Sequence, residues 1–328
     1  MSSLLSVPLT RQLRRVPVVP LLLGRRAERA WSWDWEDQWT REWWPQGITW
    51  AGERLLVSWY AKSGGSRVSV VDLEAGRYAH VTLLSPAGEP LKIHAGGLAW
   101  VDGWLYVAAT ARGFWTLHES DLAAGPAVEE VAQQPSRNPG TAWRARAVHR
   151  PAAPDDGPPL RWSFLDAHQS PGLADPSMVE VRAQRATKST HLYAGEYGRG
   201  KNTTRLWRLP MLDGQPRGDI EPLGTGPKGM QGLTATDDGL LVSTSHGPWT
   251  RGSLHTLDGR ASGSAVGEVA QQPSRNPARS ALPIGVEDLT RGPAGHLWTA
   301  AEHPGRRAIV RLSPSSCPSS STSQHYRR

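Results

Sequence analysis

The chain has 328 residues, room for two domains or one large sheet-built one, and its 34 Gly, 27 Pro and 16 Trp against 2 Phe argue for many short strands and against a helical bundle. A single cysteine, Cys317, excludes a disulfide framework or a Cys-rich zinc site, and no apolar run reaches the ~18 residues of a membrane span. The net charge of +7 is concentrated at the two ends, and the near-neutral stretch between them lacks the footprint of a nucleic-acid binder.

Residues 1–30 carry six arginines (11, 14, 15, 25, 26 and 29) against Glu28. A short apolar run over 16–24, interrupted by two prolines, follows the first three arginines. This basic arm reads either as a loose, disordered segment or as a degenerate export signal. Residues 30–35, AWSWDW, alternate apolar and polar as a strand does. Trp31, Trp33, Trp35, Trp39, Trp43 and Trp44 lie close together, with Trp50 after them. Such indoles either wedge between packed sheets or stack on sugar rings.

Internal repeats follow. QGITWAGERLLVSWY from Gln46, GGLAWVDGWLYVAAT from Gly96, QGLTATDDGLLVSTS from Gln231 and EDLTRGPAGHLWTAAE from Glu287 share one pattern. Each has a short strand, a tight turn rich in Gly or Asp, and a longer strand, so each reads as a β-hairpin. A third strand follows each: 66–73, 114–122, 252–258 and 306–313; 77–84 supplies a fourth in the first unit. A diverged unit fits at 159–222, with LRWSFLDA, HLYAGEYG and TRLWRLPM as its strands. Antiparallel units at a period of about 40–55 residues predict an all-β fold, a β-propeller. The expected count is five blades, with six as the alternative. The last unit shows three strands, and AWSWDW is expected to complete it and close the ring. Nearly identical segments at 127–139 and 265–277, ending in VAQQPSRNP, read as exposed fourth strands or loops. The organisation is thus an arm (1–30), a propeller (31–312) and a disordered Ser-rich tail (313–328).

In such a ring, the segment leading into each inner strand and the one leaving the second strand share a face. The first set gives Gln46, His94, Gln231, Glu287 and Asp288. The second gives Tyr60, Thr110, Glu196, Tyr197, Ser245, His246, Glu302 and His303. Glu196, His246 and His303 are the candidate catalytic groups, as a His beside a Glu can act as a general acid/base near neutral pH. Gln46, His94, Gln231, Trp43 and Trp44 are candidates for ligand binding. Glu287 and Asp288 are candidates for holding Ca²⁺ or another divalent cation through hard oxygen ligands. Gln46 and Gln231 also suit bonds to the next blade, and His94 a satisfied histidine near the core. No HExxH, GxSxG, P-loop or EF-hand pattern occurs.

WWPQGIT, LLVSWY, IHAGGLAW, FWTLHESDL, AGEYG, MQGL, SHGPWTRGSL, VEDL and EHPGRR resemble, in the same order over about residues 39–312, a group of poorly characterised secreted bacterial propeller proteins. The resemblance implies a secreted protein; the poor signal leaves a cytoplasmic one as the alternative. More remotely, the hairpins look like those of propeller lactonases and lyases, which implies a central metal lined by inner-loop residues. The expected function is binding of a small molecule or saccharide at the channel mouth by a monomer, with no nucleic acid and no membrane span. Alternatives are a metal-dependent lactonase- or lyase-like enzyme and a non-catalytic scaffold for protein interaction.

Overall fold

A computed structural model describes residues 3–124, 141–152, 158–170, 189–199, 202–236, 239–258 and 277–313. The arm supplies β1 (Arg11–Gln12), β2 (Arg14–Val16), the one-turn helix α1 (Pro20–Leu23) and β3 (Ala27–Ser32), and a second short helix, α2 (Trp35–Trp39), follows. The first sheet holds β4 (Trp43–Ala51), β5 (Arg54–Ala61), β6 (Ser66–Asp72) and β7 (Arg77–Leu84). The second holds β8 (Leu98–Val101), β9 (Trp104–Ala108), β10 (Phe114–Ala124) and β11 (Thr141–His149), and β11 pairs in parallel with β7 to make it continuous with the first. The third holds β12 (Phe164–Ser170), β13 (Ser189–Gly195), β14 (Arg205–Leu212), β15 (Gln215–Pro216) and β16 (Glu221–Thr225). The fourth holds β17 (Met230–Thr236), β18 (Gly239–Thr244) and β19 (Ser253–Asp258). The fifth holds β20 (Val286–Arg291), β21 (Leu297–Ala301) and β22 (Ala308–Leu312), with β3 paired to β22 and β2 to β3.

The fold is a β-propeller. The inner strands β4, β8, β12, β17 and β20 neighbour one another in that order, and β20 returns to β4. Apolar side chains fill the wedges between adjacent sheets: Val68, Leu98 and Trp143 in one, Trp162, Leu165 and Trp207 in the next, and Trp31, Trp59 and Ile309 where the ring closes.

Small residues at one repeated position let the inner strands approach the axis. A Cβ on Gly47 would lie 2.8 Å from Leu98 N, one on Gly97 2.3 Å from Leu165 N, and one on Gly232 2.4 Å from Leu289 N. The glycine in second place in the QG, GG and QG pairs is therefore a packing requirement between blades. In the fifth blade Asp288 takes this position, and its carboxyl reaches across the axis. Its Oδ2 accepts from Ile48 N and from Leu98 N, both at 3.2 Å.

Two expectations are corrected here. The closing strand is residues 27–32 rather than 30–35, because Asp34 caps α2 by accepting from Asp37 N at 3.0 Å and ends the extended run. Residues 3–30 are folded onto the propeller rather than loose. Leu4, Leu13 and Leu23 are buried in three different apolar clusters, and β1 pairs with β7. The segment 127–139 and residues 265–276 of its copy lie outside the described residues, as do 314–328 of the tail; β11 supplies the fourth strand of the second blade.

Candidate functional site

The rim position just before the glycines holds Gln46, Gln231 and Glu287, and the ends of the second strands hold Tyr60 and Glu302. These side chains converge on one carboxyl pair. Gln231 Nε2 donates to Glu287 Oε1 at 3.0 Å, and Gln46 Nε2 donates to Glu302 Oε2 at 3.2 Å. Glu287 and Glu302 hydrogen-bond to each other. Burial pushes the Glu287 carboxyl well above its ordinary range, and the charges of Glu302 and Asp288 push it further. Burial also raises Glu302, against the opposing pull of Gln46 and Arg307. The hydrogen bond they share raises Glu287 and lowers Glu302, so Glu287 is the member of the pair that holds its proton longer and donates it to Glu302.

Two tyrosines border the pair. Tyr60 and Tyr197 are both raised, first by burial and also by the nearby negative charge of Glu287 and Glu302. The His94 ring stacks on Tyr60 with centroids 4.4 Å apart. His303 stands on the far side of Glu302, its Nδ1 3.7 Å from Glu302 Oε1 and its ring edge-on to Trp44 at 6.2 Å. Burial, then the charges of Arg306 and Arg307, lower the His303 pKa, so this ring is neutral at pH 7.

A buried arginine holds this wall in place. Arg307 Nε donates to the Glu302 carbonyl at 2.8 Å and Arg307 Nη1 to the Asp37 carbonyl on α2. Asp37 in turn accepts from Arg67 at 2.6 Å, His80 at 2.8 Å and the Tyr78 hydroxyl. The backbone of Glu302 is thus tied to α2 and, through it, to the first blade.

The remaining expected residues are spent elsewhere or stand apart. Glu196 is buried but fully engaged: Arg205 grips both oxygens (2.8 and 2.9 Å), Arg161 N donates at 3.0 Å, and the Thr203 hydroxyl completes the set. His246 is exposed and bonds Ser253 Oγ at 2.9 Å within its own blade. Trp43 lies under the Arg67 guanidinium at 4.2 Å, while Trp44, part-exposed, has Lys62 (4.8 Å) and Arg307 (5.5 Å) near its ring. Glu287 and Asp288, expected to share a divalent cation, face different neighbours: one the rim pair, the other the backbone amides of the axis. Among the described residues no group of three or more His, Cys, Asp or Glu is arranged to hold a metal ion. The donor set does not fit the implied cation at Glu287 and Asp288.

No family model matches the chain, and no curated protein is similar to it in sequence. Solved structures align with most of the chain at low identity. The glutaminyl cyclase of Myxococcus xanthus aligns with 93% of this chain and 100% of its own, at 12% identity and a TM-score of 0.44. The GH43_1 enzyme from Xanthomonas citri, complexed with xylotriose, aligns with 84% of this chain and 88% of its own, at 12% identity and a TM-score of 0.43. The Dos1 propeller aligns with 89% of this chain and 67% of its own, at 11% identity and a TM-score of 0.37. At these scores the likeness carries nothing about chemistry.

Sequence reading missed three contributors to the site. Arg307, in the repeated third strand of the last unit, and Asp37, outside the repeats, act through a long-range contact that the repeat pattern does not reveal. Arg199, whose guanidinium lies 5.5 Å over the Tyr197 ring, falls just beyond the aligned positions, so only its proximity to Tyr197 in the chain could have marked it.

Proposed function

We propose that this propeller binds a small hydroxyl-rich molecule, a saccharide or similar metabolite, at the mouth of its central channel. The observation that carries the proposal is the Glu287–Glu302 pair, held by Gln46 and Gln231 and bordered by Tyr60, Tyr197 and Trp44. A proton-sharing carboxyl pair has free lone pairs for sugar hydroxyls, and the flanking amides can both give and accept hydrogen bonds. Aromatic rings at the edge suit the apolar faces of a sugar. In this reading the five groups of strands are the complete ring of blades.

Calorimetric titration of the intact protein with a panel of neutral mono- and oligosaccharides tests the proposal. At least one sugar binds, and Glu302→Gln weakens it by about tenfold or more, the worth of a hydrogen bond to a charged group. The glutamine is nearly isosteric, so the melting temperature reports separately on folding. Binding by the variant equal to that of the wild type overturns the assignment.

A further inference from the structure

We infer that the mouth selects ligands bearing a carboxylate beside their hydroxyls, acidic sugars of the uronate kind, and that Arg199 binds that carboxylate. The inference rests on the binding function proposed above and names its ligand class.

Most of the cations near the site are already engaged. Arg307 is committed to two backbone carbonyls, Arg205 to Glu196, and Arg306 to the Pro248 carbonyl, over the ring of Trp249. Lys62 is parked over Trp44. Arg199 differs. It is exposed, its guanidinium is laid over Tyr197, and among the described residues no carboxylate lies within ion-pair distance of it. Its charge nevertheless reaches Glu287 and Glu302. The cation–π contact with Tyr197, at 5.5 Å from the ring centroid, restrains the guanidinium beside the mouth, and its N–H groups can pair with a carboxylate through two parallel hydrogen bonds.

Charge then sets the ligand's orientation. A ligand carboxylate placed against the two glutamate carboxyls meets like groups and is disfavoured there, whereas Arg199 offers it the opposite charge. The anionic end of a ligand lies on Arg199 and its hydroxyl end on Glu287 and Glu302. A neutral sugar makes only the second set of contacts.

The test is calorimetric titration of the wild type, Arg199→Gln and Glu302→Gln with matched pairs: glucose and glucuronate, galactose and galacturonate. The expected result is a uronate that binds about tenfold or more tighter than its neutral partner. The preference collapses to within about twofold in Arg199→Gln and shrinks as salt is added. Equal binding of both members by the wild type, or a preference that survives Arg199→Gln, overturns the inference. If in that case Glu302→Gln abolishes both, the binding site stands and only the ligand class falls. Failure of every sugar, acidic or neutral, to bind the wild type removes the site and the inference together.

Discussion

At the scale of single residues, the axis of the propeller is held by carboxyls rather than by apolar packing alone. Asp166 Oδ2 accepts from Ala235 N at 2.9 Å and Thr234 Oγ1 at 3.1 Å, joining the third blade to the fourth. Burial pushes its pKa from 3.8 to about 7 despite those hydrogen bonds. The folded state thus keeps a proton that the unfolded chain loses above about pH 4, and folding stability from this group falls as pH rises from 4 to 7. The full effect is on the order of 4 kcal/mol, at 1.36 kcal/mol per pKa unit. His80 works in the opposite sense: burial lowers it to about 4, so its contribution is lost as pH falls from 6.5 towards 4. Comparing wild type with Asp166→Asn cancels His80 and isolates the aspartate. The variant gains stability relative to wild type between pH 5 and pH 8 in denaturant titrations, and a pH-independent difference would refute the buried-acid account.

At the scale of elements, most strands were legible and most side-chain partners were not. The hairpins were readable because alternation and turn residues are local: β7 spans the expected 77–84, and β6, β14 and β22 fall within a residue or two of their expected spans. The strand β3 was misplaced because a cap, Asp34, overrode an alternation that continued past it. Candidate site residues divided in the same way. Gln46, Gln231, Glu287 and Glu302 could be placed because they occupy repeated positions. Arg205 lies on the strand expected next to that of Glu196, but which side chains face each other across the two strands depends on register, which the repeat pattern does not fix. The repeated glycines give a prediction at this scale. Gly232→Val puts side-chain atoms against Leu289 N and Asp288 Cα, both rigid backbone, and overpacking of this kind costs about 3 kcal/mol. Chemical denaturation measures it, and a loss below about 0.5 kcal/mol would show that the inner strands can slide apart freely.

At the scale of the whole molecule, closure and function are linked. The fifth blade is completed by β3 from the N-terminal side, and the same blade supplies both Glu287 and Glu302. Ser243 Oγ donates to the Glu287 carbonyl at 2.9 Å, and Arg307 donates to the Glu302 carbonyl, so each glutamate is held from a different direction. Gln46 from the first blade and Gln231 from the fourth meet them only because the ring closes. A rigid ring brings residues more than 250 positions apart in the chain to one rim, at no cost in loop ordering when a ligand arrives. The most direct measurement is a crystal structure of the protein soaked with a sugar that binds in solution. The account predicts a ring at the channel mouth with hydroxyls about 2.6–3.2 Å from the carboxyls of both Glu287 and Glu302. A sugar bound elsewhere on the surface, with those two carboxyls still closed on each other, would contradict it.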